Sequence, residues 1–197
     1  MFEKPAQPDH PIYELLKRRW STRAFTGEPL EADKLRIILE AGRWAPSSGN
    51  GQPWAFIVAP RQDTEAFERL GSVLNPGNAW AKKASVLALS VAKLDRAPGK
   101  PNRHAWHDVG LASENMALQA ISMGLGFHMM GGFNTEAARE VCQLPDRHDP
   151  VAMMAMGYPG DPNDLEDEAL REKDLTPRVR HTQSEFVFHG MFGTPWK

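Results

Sequence analysis

The strongest constraint on the fold is a long helical pattern from about His104 to Met123. Apolar side chains cover much of its circumference: Val109, Leu111, Ala112, Met116, Ala117, Leu118, Ala120 and Ile121. A helix that is apolar nearly all round belongs in a core or in an interface. Gly124 follows it directly and fits the glycine that commonly ends a helix. The pattern therefore predicts a central helix, buried by the rest of the chain or by a second chain.

Shorter patterns predict helices and strands on either side of this helix. Helices are expected over about 11–19, 31–44, 64–74 and 135–142, with a helical turn at 79–83. Buried strands are expected at 55–59, 84–91, 127–130 and 151–156. Proline, glycine and charged residues at 93–103 and 157–176 predict loops, and the first of these could act as a lid.

The length of 197 residues suits one domain, or one domain with arms. The polar, proline-containing residues 1–10 predict a flexible N-terminal arm, and residues 11–180 form the expected domain. Residues 181–197 form a C-terminal arm that is rich in aromatic and apolar side chains from Phe186 to Trp196. Such an arm is expected to pack on a neighbouring chain, since it would otherwise expose its apolar surface to water.

Composition excludes several classes of function. The formal net charge is −2 and no long basic run occurs, which argues against nucleic-acid binding. The N-terminus lacks the apolar segment of a signal peptide, and no apolar run approaches the ~20 residues that span a bilayer. The single cysteine, Cys142, excludes an internal disulfide and fits a reducing cytoplasm.

The segment Arg19–Phe25 is the first candidate binding motif. Arg19 and Arg23 flank Ser21, and guanidinium groups offer paired donors that fit phosphate oxygens. A basic helix end, where arginine complements the carbonyl end of the dipole, is the commoner explanation of such a segment. On these residues alone both interpretations stay open.

The segment Ala45–Trp54 is the second candidate motif. It runs Ala-Pro-Ser-Ser-Gly-Asn-Gly-Gln-Pro-Trp and lies between a predicted helix and a predicted strand. Its uncharged donors and acceptors suit the edge of a heterocycle better than a metal. An ordinary connecting turn rich in serine and glycine would have the same composition.

Other familiar sites find little support. Gly124-Leu125-Gly126 lacks the third glycine and the preceding strand of a dinucleotide-binding loop. His104, His107 and Asp108 could approach a metal, but a zinc site needs a further ligand. Cys142 lies in an apolar helix and is interpreted as a core thiol. No Gly-x-Ser-x-Gly elbow supports a serine hydrolase.

The two candidate motifs, followed by a late basic pair after Pro177, resemble the FMN-dependent nitroreductase family over about residues 11–192. The resemblance implies an α+β fold, in which a mostly antiparallel central sheet is wrapped by helices and two chains intertwine as a homodimer. The 104–123 helix would form the dimer core and the C-terminal arm would embrace the partner subunit.

The resemblance also assigns roles to residues. Arg19, Ser21 and Arg23 would bind the FMN phosphate, joined by Arg178 and Arg180. Ser47, Ser48, Asn50 and Gln52 would lie along the flavin from the partner subunit. Asn78 matches an asparagine at the pyrimidine edge. Gly131 and Gly132 stand where many members carry Glu-Gly beside flavin N5, so the acidic residue is replaced here.

The implied activity is a ping-pong oxidoreduction. NADH or NADPH would deliver hydride to flavin N5 and leave, and a nitroaromatic, quinone or similar small acceptor would take its place. The flavin carries this chemistry, so no side-chain nucleophile or base is assigned. Lys82 is a candidate for positive charge near N1. Two alternatives remain, namely a specialised reductase or dehalogenase of the same fold, and a non-catalytic FMN or phosphate binder.

Overall fold

The computed structural model describes residues 2–196. Within this range the α-helices are α1 Glu14–Arg18, α2 Ala32–Arg43, α3 Thr64–Gly71, α4 Ala105–Ser122, α5 Thr135–Val141 and α6 Glu168–Leu175. The strands are β1 Trp54–Pro60, β2 Val86–Lys93, β3 Asp95–Ala97, β4 Lys100–Pro101, β5 Gly126–Met130 and β6 His148–Gly157. Short 3₁₀ helices occupy Ser48–Asn50, Pro76–Lys83, Pro162–Asp164 and Gln183–Glu185.

Four strands form the main sheet in the order β1-β2-β6-β5, and every pairing in it is antiparallel. The register places Trp54 opposite Ala92 on one side of β2, and Val86 opposite Met156 on the other. This arrangement confirms the predicted α+β fold with an antiparallel central sheet.

Both faces of the sheet are covered by helices. Along β2 every residue except Lys93 is buried, and alternate side chains enter different cores, as the two-residue period of a strand requires. Leu87 and Leu89 pack with Phe67 and Leu70 of α3. Val86 and Ala88 pack on the other face with side chains of α2 and α4. This explains why the sequence of β2 is a continuous apolar run.

Helix α4 matches the predicted central helix within one residue at each end. It packs closely on α2, where a Cβ added to Gly42 would stand 2.8 Å from Cγ of Met116. Within one chain Leu111 and Leu118 remain half-buried. The single chain therefore does not cover the whole apolar circumference of this helix.

Two segments that the sequence predicts as loops contain regular structure. Within residues 93–103, strands β3 and β4 pair as a hairpin. In 157–176 the prediction of turns alone is wrong, because α6 occupies Glu168–Leu175. Asp167 begins this helix by accepting hydrogen bonds from the backbone of Ala169 and Leu170 at 2.9 and 3.1 Å. Its buried residue is Asp174, so the sequence has no apolar stripe from which to predict it.

The two arms differ in their contacts. The stretch from Phe2 to Ala6 lies against the domain, where the sequence predicts a flexible arm, and Met1 lies outside the described residues. In the C-terminal arm a bridge joins Phe188 to Pro195, while Met191 and Phe192 are 74% and 93% exposed. Among residues 2–196 no helix is long and apolar enough to cross a membrane.

Candidate functional site

The segment from Arg19 to Phe25 leaves helix α1 in an extended conformation. Arg19 has φ −61° and ψ 123°, and Phe25 pairs with Pro159 as an isolated bridge. Lys17 and Arg18 are the basic residues of the last helical turn. The interpretation as a basic helix end therefore applies to those two residues, whereas Arg23 lies well beyond the helix.

Arg178 packs against this segment from the other end of the chain. Its Nη2 donates to the carbonyl of Lys17 at 2.6 Å, and its Nη1 donates to the carbonyl of Arg19. Its Nε is buried without a partner among the described residues. Burial lowers the pKa of Arg178, and the charges of Arg19 and Arg180 lower it further. The structure thus brings these guanidinium groups within electrostatic reach of one another.

Asp174 orients the second arginine of the motif. Its carboxylate accepts the backbone N–H of Arg23 at 2.9 Å and the Nη1 of the same residue at 2.5 Å. The aspartate side chain is fully buried, while that of Arg23 remains 25% exposed. The ion pair fixes the direction of a guanidinium that still reaches the surface.

Arg19 and Ser21 complete what we term the arginine cluster: Arg19, Ser21, Arg23 and Arg178. Nη1 of Arg19 donates to the Ser21 hydroxyl at 3.5 Å, and its Nε lies 3.7 Å from Glu114 on α4. Burial raises the pKa of Glu114. Arg180, the remaining predicted member, is exposed and donates to the carbonyl of Val179 at 2.7 Å.

His128 and Trp80 lie beneath the cluster. Nδ1 of His128 donates to the carbonyl of Thr22 at 2.9 Å, and its ring centroid is 4.6 Å from that of Trp80. Burial lowers the pKa of His128 to about 4, so the imidazole is neutral at pH 7. Nε1 of Trp80 is buried without a partner among residues 2–196.

The second motif forms a loop held by α4 and by the hairpin. Gly49, Asn50 and Gln52 have positive φ values of 59°, 54° and 43°. The backbone N–H of Gln52 donates to the Ser47 hydroxyl at 3.0 Å, which closes the loop on itself. Asn50 and Gln52 are exposed, and Nε2 of Gln52 donates to Oδ1 of Asn50 at 3.1 Å.

Two residues outside this loop fix Ser48. The buried Asp108 of α4 accepts the backbone N–H of Ser48 at 3.1 Å and also contacts Nδ1 of His107 at 3.1 Å. Nη2 of Arg96, from the β3–β4 hairpin, donates to the Ser48 hydroxyl at 2.6 Å. Asp108 thus anchors a loop, and no group of three or more potential metal ligands occurs among residues 2–196.

Asn78 and Gly132 form a third group. The carbonyl of Gly132 accepts Nδ2 of Asn78 at 2.8 Å and the backbone N–H of Asn75 at 3.2 Å. A Cβ on Gly132 would stand 2.6 Å from Nδ2 of Asn78. Gly131 is exposed, and no described atom lies within 4 Å of the position that its Cβ would take.

Within the described part of the chain, these groups do not join into one site. No side-chain hydrogen bond or ion pair among residues 2–196 links the 47–52 loop to the arginine cluster. Helix α4 nevertheless reaches both, through Asp108 and Glu114, which are six residues and about 9 Å apart along the helix. Lys82 lines a cleft beside Arg23, and the other charged residues of this cleft are Arg61, Lys83, Asp161 and Asp164.

Sequence reasoning missed the residues that orient the predicted ones. Asp174 lies in an acidic run with no distinguishing pattern, and Arg96 lies in a segment predicted as a loop. The sequence suggests Asp108 only as a possible metal ligand, and His128 only as part of a strand. Cys142, in contrast, packs against the core, where burial raises the pKa of its thiol.

Comparison with known proteins gives concordant matches. The Nitroreductase family model matches residues 16–82 and 72–158, which is more than half of the chain. A protein of Archaeoglobus fulgidus, provisionally named NADH dehydrogenase/NAD(P)H nitroreductase, is 28% identical over 158 residues, covering 77% of this chain and 87% of that protein.

Two solved structures extend the likeness to the fold. A crystal structure described as an oxidoreductase containing FMN is 34% identical, with a TM-score of 0.90 and 96% coverage of both chains. A nitroreductase family protein from Clostridium difficile 630 is 27% identical, with a TM-score of 0.71 and coverage of 90% of this chain and 96% of that one.

Proposed function

Because the chain belongs to the nitroreductase family, we propose that it is an FMN-dependent oxidoreductase. It would take electrons from NADH or NADPH and pass them to a nitroaromatic, a quinone or a similar small acceptor. The relative from A. fulgidus carries NAD(P)H in its name, and the similar solved structure contains FMN.

The observation that carries the proposal is the arginine cluster. Residues from both ends of the chain converge there, and Arg178 makes its side-chain hydrogen bonds to backbone carbonyls rather than to a carboxylate. Among residues 2–196, Arg23 is the one member of the cluster with a close carboxylate partner, and Glu114 lies at the longer distance of 3.7 Å from Arg19. Guanidinium groups whose charge is not neutralised by a close carboxylate favour binding of an anion.

The residues present fit the phosphate and the ring of FMN. A phosphate monoester carries a charge of about −2 near pH 7, which the cluster would neutralise through charge-assisted hydrogen bonds. The uncharged side chains of Ser47, Asn50, Gln52 and Asn78 supply donors and acceptors for a heterocycle. FMN, when bound, supplies the hydride and electron chemistry of the reaction.

The protein's own residues would position the cofactor. Asp174 holds the guanidinium of Arg23, and Asp108 holds the loop that carries Ser48. The open space beside Gly131 leaves room for a planar ligand. Lys82, in the neighbouring cleft, stays a candidate for positive charge near the ring.

We further propose that the working form is a homodimer. The 47–52 loop makes no side-chain hydrogen bond or ion pair to the arginine cluster among the described residues, so a partner subunit would supply it to the other chain's site. The exposed aromatic side chains of the C-terminal arm would be covered by the partner, which favours association.

An absorption spectrum of the purified protein tests the proposal. We expect bound flavin, released by denaturation and identified as FMN, and anaerobic bleaching on addition of NADH or NADPH. A protein that stays colourless after incubation with FMN would contradict the proposed function. Flavin that remains oxidised with both nicotinamides would instead favour the non-catalytic binder. Steady-state turnover with a panel of nitroaromatics and quinones then separates a broad reductase from a specialised one.

A further inference from the structure

The N-terminal arm, residues 2–6, lies directly on the segment that carries the first arginines. The ring of Phe2 meets that of Trp20 edge to face, with centroids 5.8 Å apart. Nζ of Lys4 lies 5.4 Å from the centroid of the same tryptophan ring. The backbone N–H of Ala6 donates to the carbonyl of Lys17 at 2.8 Å. Aromatic, cationic and backbone contacts together fix the course of the arm.

These contacts lead to the arginine cluster itself. The carbonyl of Lys17 that accepts Ala6 also accepts Nη2 of Arg178, at 2.6 Å. Nζ of Lys4 donates to the carbonyl of Lys173 at 2.6 Å, and the next residue is Asp174, which holds Arg23. The arm therefore contacts two chain segments of the cluster. One includes Lys17 and continues to Arg19 and Arg23, and the other includes Lys173 and Asp174.

The charge of Lys4 is part of the same electrostatic environment. Burial lowers the pKa of its ammonium, Asp174 raises it, and the charges of Arg23 and Arg178 lower it. An ammonium group has three donors, and one hydrogen bond, to Lys173, is formed in the structure. Among residues 2–196, no carboxylate oxygen lies within 4.0 Å of Nζ of Lys4, which is the limit for an ion pair. Two donors thus remain for a ligand, and the ammonium charge has no carboxylate in direct contact among these residues.

We propose that Lys4 is a further phosphate-binding residue and that the N-terminal arm completes the cofactor site. This inference rests on the proposed binding of FMN. It adds a fourth cation to the arginine cluster, from a part of the chain that neither motif includes. The competing explanation is that Lys4 only caps the carbonyl end of α6, where a lysine is favourable without any ligand.

The test compares FMN with riboflavin, which has the same ring but no phosphate. Apoprotein is titrated with each ligand, and flavin fluorescence gives Kd for the wild type, Lys4→Met, Lys4→Arg and the control Lys100→Met. Lys100 is exposed on the β3–β4 hairpin and makes no side-chain hydrogen bond or ion pair among residues 2–196. Thermal unfolding of each variant shows that the domain remains folded.

We expect Lys4→Met to weaken FMN binding roughly tenfold while riboflavin binding stays unchanged, because one charge-assisted hydrogen bond to phosphate is lost. The salt dependence of FMN binding should also decrease. Lys4→Arg should retain most of the affinity, and Lys100→Met should match the wild type.

Three results would overturn the inference. An unchanged Kd for FMN in Lys4→Met would show that the ammonium does not contact the phosphate. Equal losses for FMN and riboflavin would show that the arm acts only on the fold of the site. Wild-type protein that binds neither flavin would refute the proposed function itself, and that result is distinct from the other two.

Discussion

Arg23 and Asp174 are 151 residues apart in the sequence and are joined by two hydrogen bonds in the structure. One bond is made by the backbone and the other by the guanidinium, so a single buried carboxylate fixes both the chain and the side chain. A motif near the N-terminus thus depends on helix α6, near the C-terminus, for its geometry.

Replacing Asp174 by alanine should lower the free energy of unfolding by about 3 kcal/mol, because the guanidinium loses its buried partner. FMN affinity should also fall, since Arg23 would no longer be held in place. Urea unfolding and flavin titration measure the two effects. Asp33→Ala, which removes an exposed partner of Arg36, should change the unfolding free energy by less than about 0.5 kcal/mol. Equal effects of the two substitutions would contradict the role given to Asp174.

Stability should decrease as the pH falls from about 6.5 towards 4, because of His128. Its pKa is lowered to about 4 in the folded protein from an ordinary value of 6.5, so the unfolded chain takes up a proton first. Above pH 6.5 both states are neutral at this residue and its contribution is constant. The full difference corresponds to roughly 3 kcal/mol.

Urea unfolding of wild type and His128→Asn between pH 7.5 and 5.0 measures this contribution. An asparagine amide can still donate to the carbonyl of Thr22, but it does not titrate. The difference between the two unfolding free energies should shrink as the pH falls. The raised pKa of Glu114 acts in the opposite direction, and it cancels in this comparison. Parallel pH profiles would show that His128 is not held neutral.

Gly132→Ala should cost about 1 kcal/mol of stability and weaken FMN binding. The added methyl would stand 2.6 Å from Nδ2 of Asn78 and displace it from its hydrogen bond with the Gly132 carbonyl. Gly131→Ala is the matched comparison for stability, because no described atom lies within 4 Å of its new Cβ. Thermal unfolding should separate the two substitutions. A more destabilising change at Gly131 would contradict this description of the pair.

Ending the chain after Thr182 should weaken dimerisation by at least about tenfold in Kd, since it removes exposed apolar side chains such as Phe192. Light scattering coupled to gel filtration over a dilution series measures the association. Ser184→Asp, a polar substitution at an exposed position of the same arm, should leave it unchanged. A truncated chain that dimerises as well as the full chain would show that the arm does not join the subunits.

The apolar patterns of the sequence predict most of the fold. The continuous run at 84–91 becomes the doubly covered strand β2, and the 104–123 pattern becomes α4, because burial of apolar surface decides both. Helix α6 escapes prediction because an N-terminal cap and a buried ion pair hold it, and neither produces a periodic signal.

The candidate site also contains residues that the sequence predicts and residues that it does not. The resemblance predicts one phosphate-binding group of five residues, namely Arg19, Ser21, Arg23, Arg178 and Arg180. In the structure Arg178 bonds to the carbonyl of Arg19, and Arg19 bonds to Ser21. Arg23 is held by Asp174, and the exposed Arg180 bonds only to Val179, so the shared role of the five stays a prediction. The sequence does not identify Asp174 or Lys4, because their partners are distant in sequence. Asp174 pairs with the guanidinium of Arg23, and Lys4 bonds to the carbonyl of Lys173. The prediction that the 47–52 loop faces a partner's flavin requires a second chain and stays a prediction.

The turn of the β3–β4 hairpin offers a place for a spectroscopic probe. Pro98 and Gly99 are exposed, while Asp95 at the base of the hairpin is held by two hydrogen bonds from Arg147, at 3.0 and 2.8 Å. Arg96 ties the same hairpin to Ser48. The native thiol, Cys142, is half-buried with a raised pKa and would compete poorly for a maleimide dye. The substitution Pro98→Cys would therefore place a fluorophore that reports hairpin motion, and both arms would stay unmodified.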